Sequence, residues 1–168
     1  MGIGNYLISL VIVLVMGAFY LVSLYNRVIR LSNIIPENRS NIEVLRKKKE
    51  YLITRMVAII DSYGLHEKGI TEKVSLDFGR GESSRGQPMV DRLAYLRMAF
   101  PELKADSLYN QLLSELAEVE TDIASRREDF NTSVRAYNTV VTLFPANIIL
   151  RPFGFKPKPF LTVEDINA

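Results

Sequence analysis

The chain has 168 residues, with no Cys, no Trp and one His, and its 21 Lys and Arg stand against 19 Asp and Glu for a net charge of +2. That length gives room for one domain and not two. The composition excludes a disulfide framework, a thiolate metal site and a cysteine nucleophile, and the near-balance of charge argues against a nucleic-acid binder, which shows a basic excess on one face.

The charge is unevenly placed. Every charged side chain lies at or after Arg27, so residues 27–168 are about 28% charged and residues 1–26 carry none. From Ile3 to Leu24 the chain reads IGNYLISLVIVLVMGAFYLVSL. As a helix at 1.5 Å per residue this run is about 33 Å long, enough for a hydrocarbon core of ~30 Å. A cleaved signal peptide fits less well: Met1–Tyr6 has no basic residue, Met16-Gly17-Ala18 puts a large side chain at the first position of a cleavage site, and the apolar run continues beyond it. A retained transmembrane anchor is expected over residues 1–26, with Tyr6 and Tyr25 at headgroup level. Arg27, Arg30 and Arg39 follow the anchor and no Lys or Arg precedes it, which predicts the N-terminus outside and the remainder in the cytoplasm.

Ile42, Leu45, Lys49, Leu52, Met56, Ile59 and Tyr63 are spaced 3-4-3-4-3-4, the a/d seam of a packed helix within residues 37–76. Lys49 is the charged intruder, either snorkelling or marking where the seam meets solvent. Pro36 predicts a break or kink near Ile35, and the helix is expected to end between Gly64 and Leu76. Residues 79–88, GRGESSRGQP, read as a loop.

A short helix is expected from Pro88 to Phe100, with Val90, Leu93, Leu96 and Phe100 on one face, and Pro101 turns the corner. The last helix starts at Asp106 or Ser107, either a good N-cap, and runs to about Leu143. Its seam is Leu112, Leu116, Val119, Ile123, Phe130, Tyr137, Val140 and Phe144, with Arg126 and Ser133 as polar interruptions. An amphipathic rod of that length is not stable alone and must lie against the residue 37–76 helix. The fold class is all-α: an anchor at 1–26, a helical bundle at 27–145 and an extended tail at 146–168, where Pro145, Pro152, Pro157 and Pro159 exclude helix from most positions.

Reactive motifs fail on inspection. Gly81 to Gly86 has phosphate-loop spacing, but Gln87-Pro88 stands where Lys-Ser/Thr is needed and no strand leads in. One histidine cannot supply the paired Glu-x-x-His of a di-metal bundle, and nothing places a serine beside His66. No catalysis, metal, cofactor or small-molecule substrate is therefore expected. Asn38-Arg39-Ser40 matches a glycosylation acceptor, which a cytoplasmic location makes irrelevant. Arg46-Lys47-Lys48-Lys49 reads as a solvated face, since a straight helix puts Arg46 about 33 Å past Leu24, beyond a Debye length of ~8 Å.

The tail FGFKPKPF offers Phe153, Phe155, Lys156, Lys158 and Phe160 as candidate partner-binding residues. Helix parity puts it at the far end of the bundle: out along the first soluble helix, back along the short one, out again along the last. Docking on the bundle or binding a protein is then favoured over insertion at the membrane.

Several strings resemble the LemA family. Arg126-Arg127, Phe130-Asn131, Val134, Tyr137-Asn138 and Phe144-Pro145 resemble its long-helix signature, and FGFKPKPF matches its most specific string in full. Phe100 to Ala105 resembles its Y-P-D/E-L-K-A corner, and Tyr25-Asn26-Arg27 follows the anchor as in the family. Residues 31–60 depart from it, lacking the usual Trp and carrying an extra Pro36, and the segment around Gly79–Pro88 is shorter. The resemblance implies a bacterial inner-membrane protein with a cytoplasmic antiparallel helical bundle and no established enzymatic activity, cofactor or catalytic residues. Family links to magnetosome membranes and neighbouring membrane proteases imply membrane organisation. The expected function is a membrane-tethered scaffold or adaptor with protein partners. The alternative is a membrane-organising protein that self-associates through the small-residue face of Gly17 and Ala18.

Overall fold

A computed structural model describes residues 3–64 and 89–162. The order of elements is α1 (Ile3–Ser62), α2 (Met89–Ala99), α3 (Pro101–Ala105), α4 (Ser107–Thr142), α5 (Ala146–Leu150) and a 3₁₀ turn (Arg151–Phe153). No strand occurs among the described residues, so the fold is all-α. The expected loop at 79–88 and His66 lie outside the described residues. The chain divides into two compact units, Met1–Asn38 with Phe130–Phe160 and Arg39–Asp129 with Leu161–Ala168.

Of the break or kink expected near Ile35, the break does not occur. Helix α1 runs for 60 residues with Pro36 inside it. Its proline cannot donate to the carbonyl four residues back, that of Ser32, so the helix continues with one bond missing. It ends at Ser62, where Gly64 takes a left-handed φ of 68° and donates to the Asp61 carbonyl at 2.9 Å.

In the second unit the two long helices lie antiparallel: Lys49 of α1 meets Glu120 of α4, and Tyr63, just past the end of α1, meets Asp106, just before the start of α4. Leu52, Ile53, Met56 and Ile60 pack with Leu93 of α2, Leu103 of α3 and Tyr109, Leu112, Leu113, Leu116, Val119 and Ile123 of α4. The seam thus follows the expected spacing as far as Met56 and then shifts by one residue. Ile60 is fully buried, Ile59 is only partly buried and Tyr63 is exposed.

Asp106 is the N-cap of α4, its Oδ1 accepting the Tyr109 amide at 2.8 Å. That bond, and the one Tyr63 Oη donates to Oδ2 at 2.8 Å, hold the Asp106 carboxyl below its ordinary acidity range; the same contact raises Tyr63. Tyr109, absent from the expected seam, is fully buried and donates to the Leu93 carbonyl at 2.9 Å, fastening α2 to α4. Burial pushes its phenol up. Lys49 neither snorkels nor ends the seam: its Nζ lies 3.0 Å from Oε1 of Glu120, whose oxygen is buried.

In the first unit Leu24, Val28 and Ile35 of α1, Phe130, Val134, Tyr137, Val140 and Val141 of α4, and Ala146 and Leu150 of α5 are buried. The two polar breaks in the seam differ. Ser133 accepts from Asn38 Nδ2 at 3.0 Å, which uses the side chain of the glycosylation-like triplet, whereas Arg126 is exposed. Phe144, expected in the seam, is 79% exposed, because α4 stops at Thr142 and helical spacing no longer carries it inward. The tail also departs from a fully extended course. Residues 146–153 are helical, with Pro145 at the N-cap of α5 and Pro152 in the first turn of the 3₁₀ segment, positions where a missing N–H costs nothing. Regular structure is absent from Phe155 to Thr162.

Candidate functional site at the docked tail

The parity expectation is overturned: the tail lies beside the residue that follows the apolar run. Phe153 and Phe155 place their rings 6.0 and 6.1 Å from Tyr25, both edge-on. The misreading came from counting the short helix as a full return leg. Helix α2 has 11 residues against 36 in α4. In both units α4 runs back against α1, so its C-terminus comes toward the apolar end.

The turn that allows two phenylalanines to share one tyrosine is Gly154. It adopts φ 80° and donates to the Arg151 carbonyl at 3.1 Å. A side chain is strained in that left-handed conformation.

Lys158 is the pin. Its backbone N–H donates to Asn138 Oδ1, and Asn138 Nδ2 donates to its carbonyl, both at 2.8 Å. Pro157 and Pro159 on either side carry no N–H and hold the chain extended, leaving Lys158 the residue that can make this two-way contact. Its Nζ lies 4.9 Å from the centre of the Tyr137 ring, within cation–π range. The same ammonium donates to Ser32 Oγ at 3.1 Å and to the Ser32 carbonyl at 3.3 Å. That carbonyl is the one Pro36 leaves without a helical donor. A tail lysine thus replaces the missing bond of a helix more than a hundred residues away. Burial raises the Tyr137 phenol, opposed by a hydrogen bond to the Lys156 backbone.

Of the five candidate residues, Lys158 faces inward and Phe155 is half-buried against Tyr25, while Phe153, Lys156 and Phe160 are exposed. Sequence reasoning missed Ser32 and Asn138. The available signal for Ser32 was its position four residues before a proline inside a helix. Parts of three strings that carried the family resemblance meet here: Tyr25, the pair Tyr137-Asn138, and Phe153, Phe155 and Lys158 of the tail.

The rest of α1 is different in kind. An 18-residue window of this helix has mean hydropathy 2.7 with none of it buried, so the helix is long and apolar enough to cross a membrane. Among the described residues no three His, Asp or Glu side chains gather to hold a metal ion.

The sequence model described as LemA family matches residues 80–168. Magnetosome proteins MamQ 1 and MamQ 2 of Paramagnetospirillum magneticum are each 23% identical over 169 residues, covering 79% of this chain and 62% of the relative. Magnetosome protein MamQ of Magnetospirillum gryphiswaldense is 29% identical over 97 residues, covering 55% of this chain and 36% of the relative. The chain therefore spans at most about three-fifths of the length of these relatives.

Proposed function

The chain belongs to the LemA family, and from that premise we propose that it is a non-catalytic, membrane-tethered scaffold or adaptor for other proteins. The observation that carries this reading is the unburied apolar half of α1, continuous with a half whose seam packs in a bundle. A soluble core helix of that hydropathy is covered by its own protein; this one needs lipid to cover it.

In this reading Ile3–Leu24 is a single span of a bacterial inner membrane. The arginines after it, Arg27, Arg30 and Arg39, hold the following chain on the cytoplasmic side. The relatives named as magnetosome proteins suggest, by analogy, a part in organising a membrane-bound assembly. Because Lys158 is committed to the bundle, partners are met by side chains fixed on a folded surface, among them Tyr95, Met98 and Phe160.

Photo-crosslinking from Tyr95 and Phe160 in native membranes, followed by mass spectrometry, tests the reading. A scaffold yields the same protein partner in repeated captures; crosslinks to lipid and solvent alone contradict it. The self-association alternative draws on the open surface around Gly17, where an added Cβ meets nothing within 4 Å. It predicts crosslinks between copies at that helix face instead.

A further inference from the structure

The turn from α4 through α5 into the 3₁₀ segment carries apolar side chains that the protein leaves uncovered. Leu143, Phe144, Ile148 and Phe153 are all exposed, Phe144 at 79% and Ile148 at 65%. The position of this corner matters more than its exposure. Ser133 pairs with Asn38, and the two helices run antiparallel. Thr142, nine residues further, therefore comes level with roughly Ile29, about 13 Å nearer the apolar end. The chain then continues to Phe153, which touches Tyr25. The whole corner thus lies alongside the residues that follow Leu24.

The same corner holds a groove of about 770 Å³ in which Arg151 and Lys156 stand with Asn147, Ile148 and Phe155. Cations beside aliphatic and aromatic side chains, at the end of a span, match the chemistry of a phospholipid at the headgroup–acyl boundary.

We propose that Leu143–Phe153 is a lipid-binding foot. Phe144, Ile148 and Phe153 enter the boundary region of the leaflet, and Arg151 and Lys156 bind the phosphates of anionic phospholipids. This rests on the reading of Ile3–Leu24 as a membrane span, and goes beyond it by giving the span a second, peripheral membrane contact. The foot would give the first unit a second point of attachment to the surface, which a single span does not supply.

The chain has no Trp, so single-Trp variants each report one site. The full chain is reconstituted in phosphatidylcholine vesicles with or without phosphatidylglycerol, using lipids brominated at shallow or deep acyl positions. Val13→Trp reports the span, Phe144→Trp and Ile148→Trp the foot, and Tyr95→Trp an exposed site of α2. The expected result is deep quenching at 13, shallow quenching at 144 and 148, and none at 95. Phosphatidylglycerol should strengthen quenching at 144 and 148, by up to about fivefold in the bound-to-free ratio for each basic residue engaged. Arg151→Glu with Lys156→Glu should remove that gain.

If 144 and 148 are no more quenched than 95 while 13 is deeply quenched, the foot is wrong and the span stands. An unquenched 13 overturns both. Blue-shifted emission at 148 without bromine quenching means a protein covers the corner, which also overturns the foot. Equal quenching with and without phosphatidylglycerol overturns the assignment of Arg151 and Lys156.

Discussion

Lys158 shows how one side chain can offset the cost of another residue far off in the sequence. Pro36 withholds an N–H from the Ser32 carbonyl, and the Lys158 ammonium supplies a donor at 3.3 Å. Lys158→Met should cost about 1–2 kcal/mol, the range for a partly exposed charge-assisted hydrogen bond. In a Pro36→Ala background the helix regains its own donor, so the same change should cost less. A double-mutant cycle by denaturant unfolding in detergent measures the difference; purely additive effects would refute the compensation.

Asp106 gives a second test at this scale. Asp106→Ala should lose about 1 kcal/mol and Asp106→Asn only a few tenths, since the amide still caps α4. The folded carboxyl is more acidic than the unfolded one. Its contribution is therefore complete above the ordinary carboxylate range near pH 4 and is lost as the pH falls through the folded value. Wild type should lose more stability on acidification than Asp106→Asn, as read from unfolding midpoints between about pH 6 and pH 3. Removing Lys49 alone leaves a buried Glu120 oxygen without its cation. Lys49→Met should cost about 1–3 kcal/mol, and adding Glu120→Met should restore part of it.

At the scale of elements, what was legible depended on whether a residue acted through its own neighbours. The seams from Ile42 to Met56 and from Leu112 to Val140 follow from helical spacing, as does the Asp106 cap. The break at Pro36 was expected because a proline's local effect is to break a helix; the carbonyl it leaves open, that of Ser32, instead receives the Lys158 ammonium from the tail. Phe144 was misread because spacing has no meaning past the end of a helix. The tail's position was hidden because it depends on contacts across more than a hundred residues, Tyr25 with Phe153 and Ser32 with Lys158. Its composition revealed a special segment and gave no address for it. Gly154→Ala tests the element directly. The strained turn should cost about 1 kcal/mol and separate at least one phenylalanine from Tyr25, seen as loss of nuclear Overhauser contacts between the Tyr25 ring and the rings of Phe153 and Phe155.

For the molecule as a whole, the balance of charges conceals an uneven distribution. An uncharged apolar helix is followed by a charged bundle, and the tail closes back onto the helix where one gives way to the other. The location of the bundle is the property most worth measuring. Because the chain has no Cys, a Thr121→Cys variant carries one thiol on an exposed face of α4. Labelling it in bacterial cells with a membrane-impermeant maleimide is the most direct test. A cytoplasmic bundle gives no labelling of intact cells and full labelling after permeabilisation; equal labelling of intact and permeabilised cells would contradict that location.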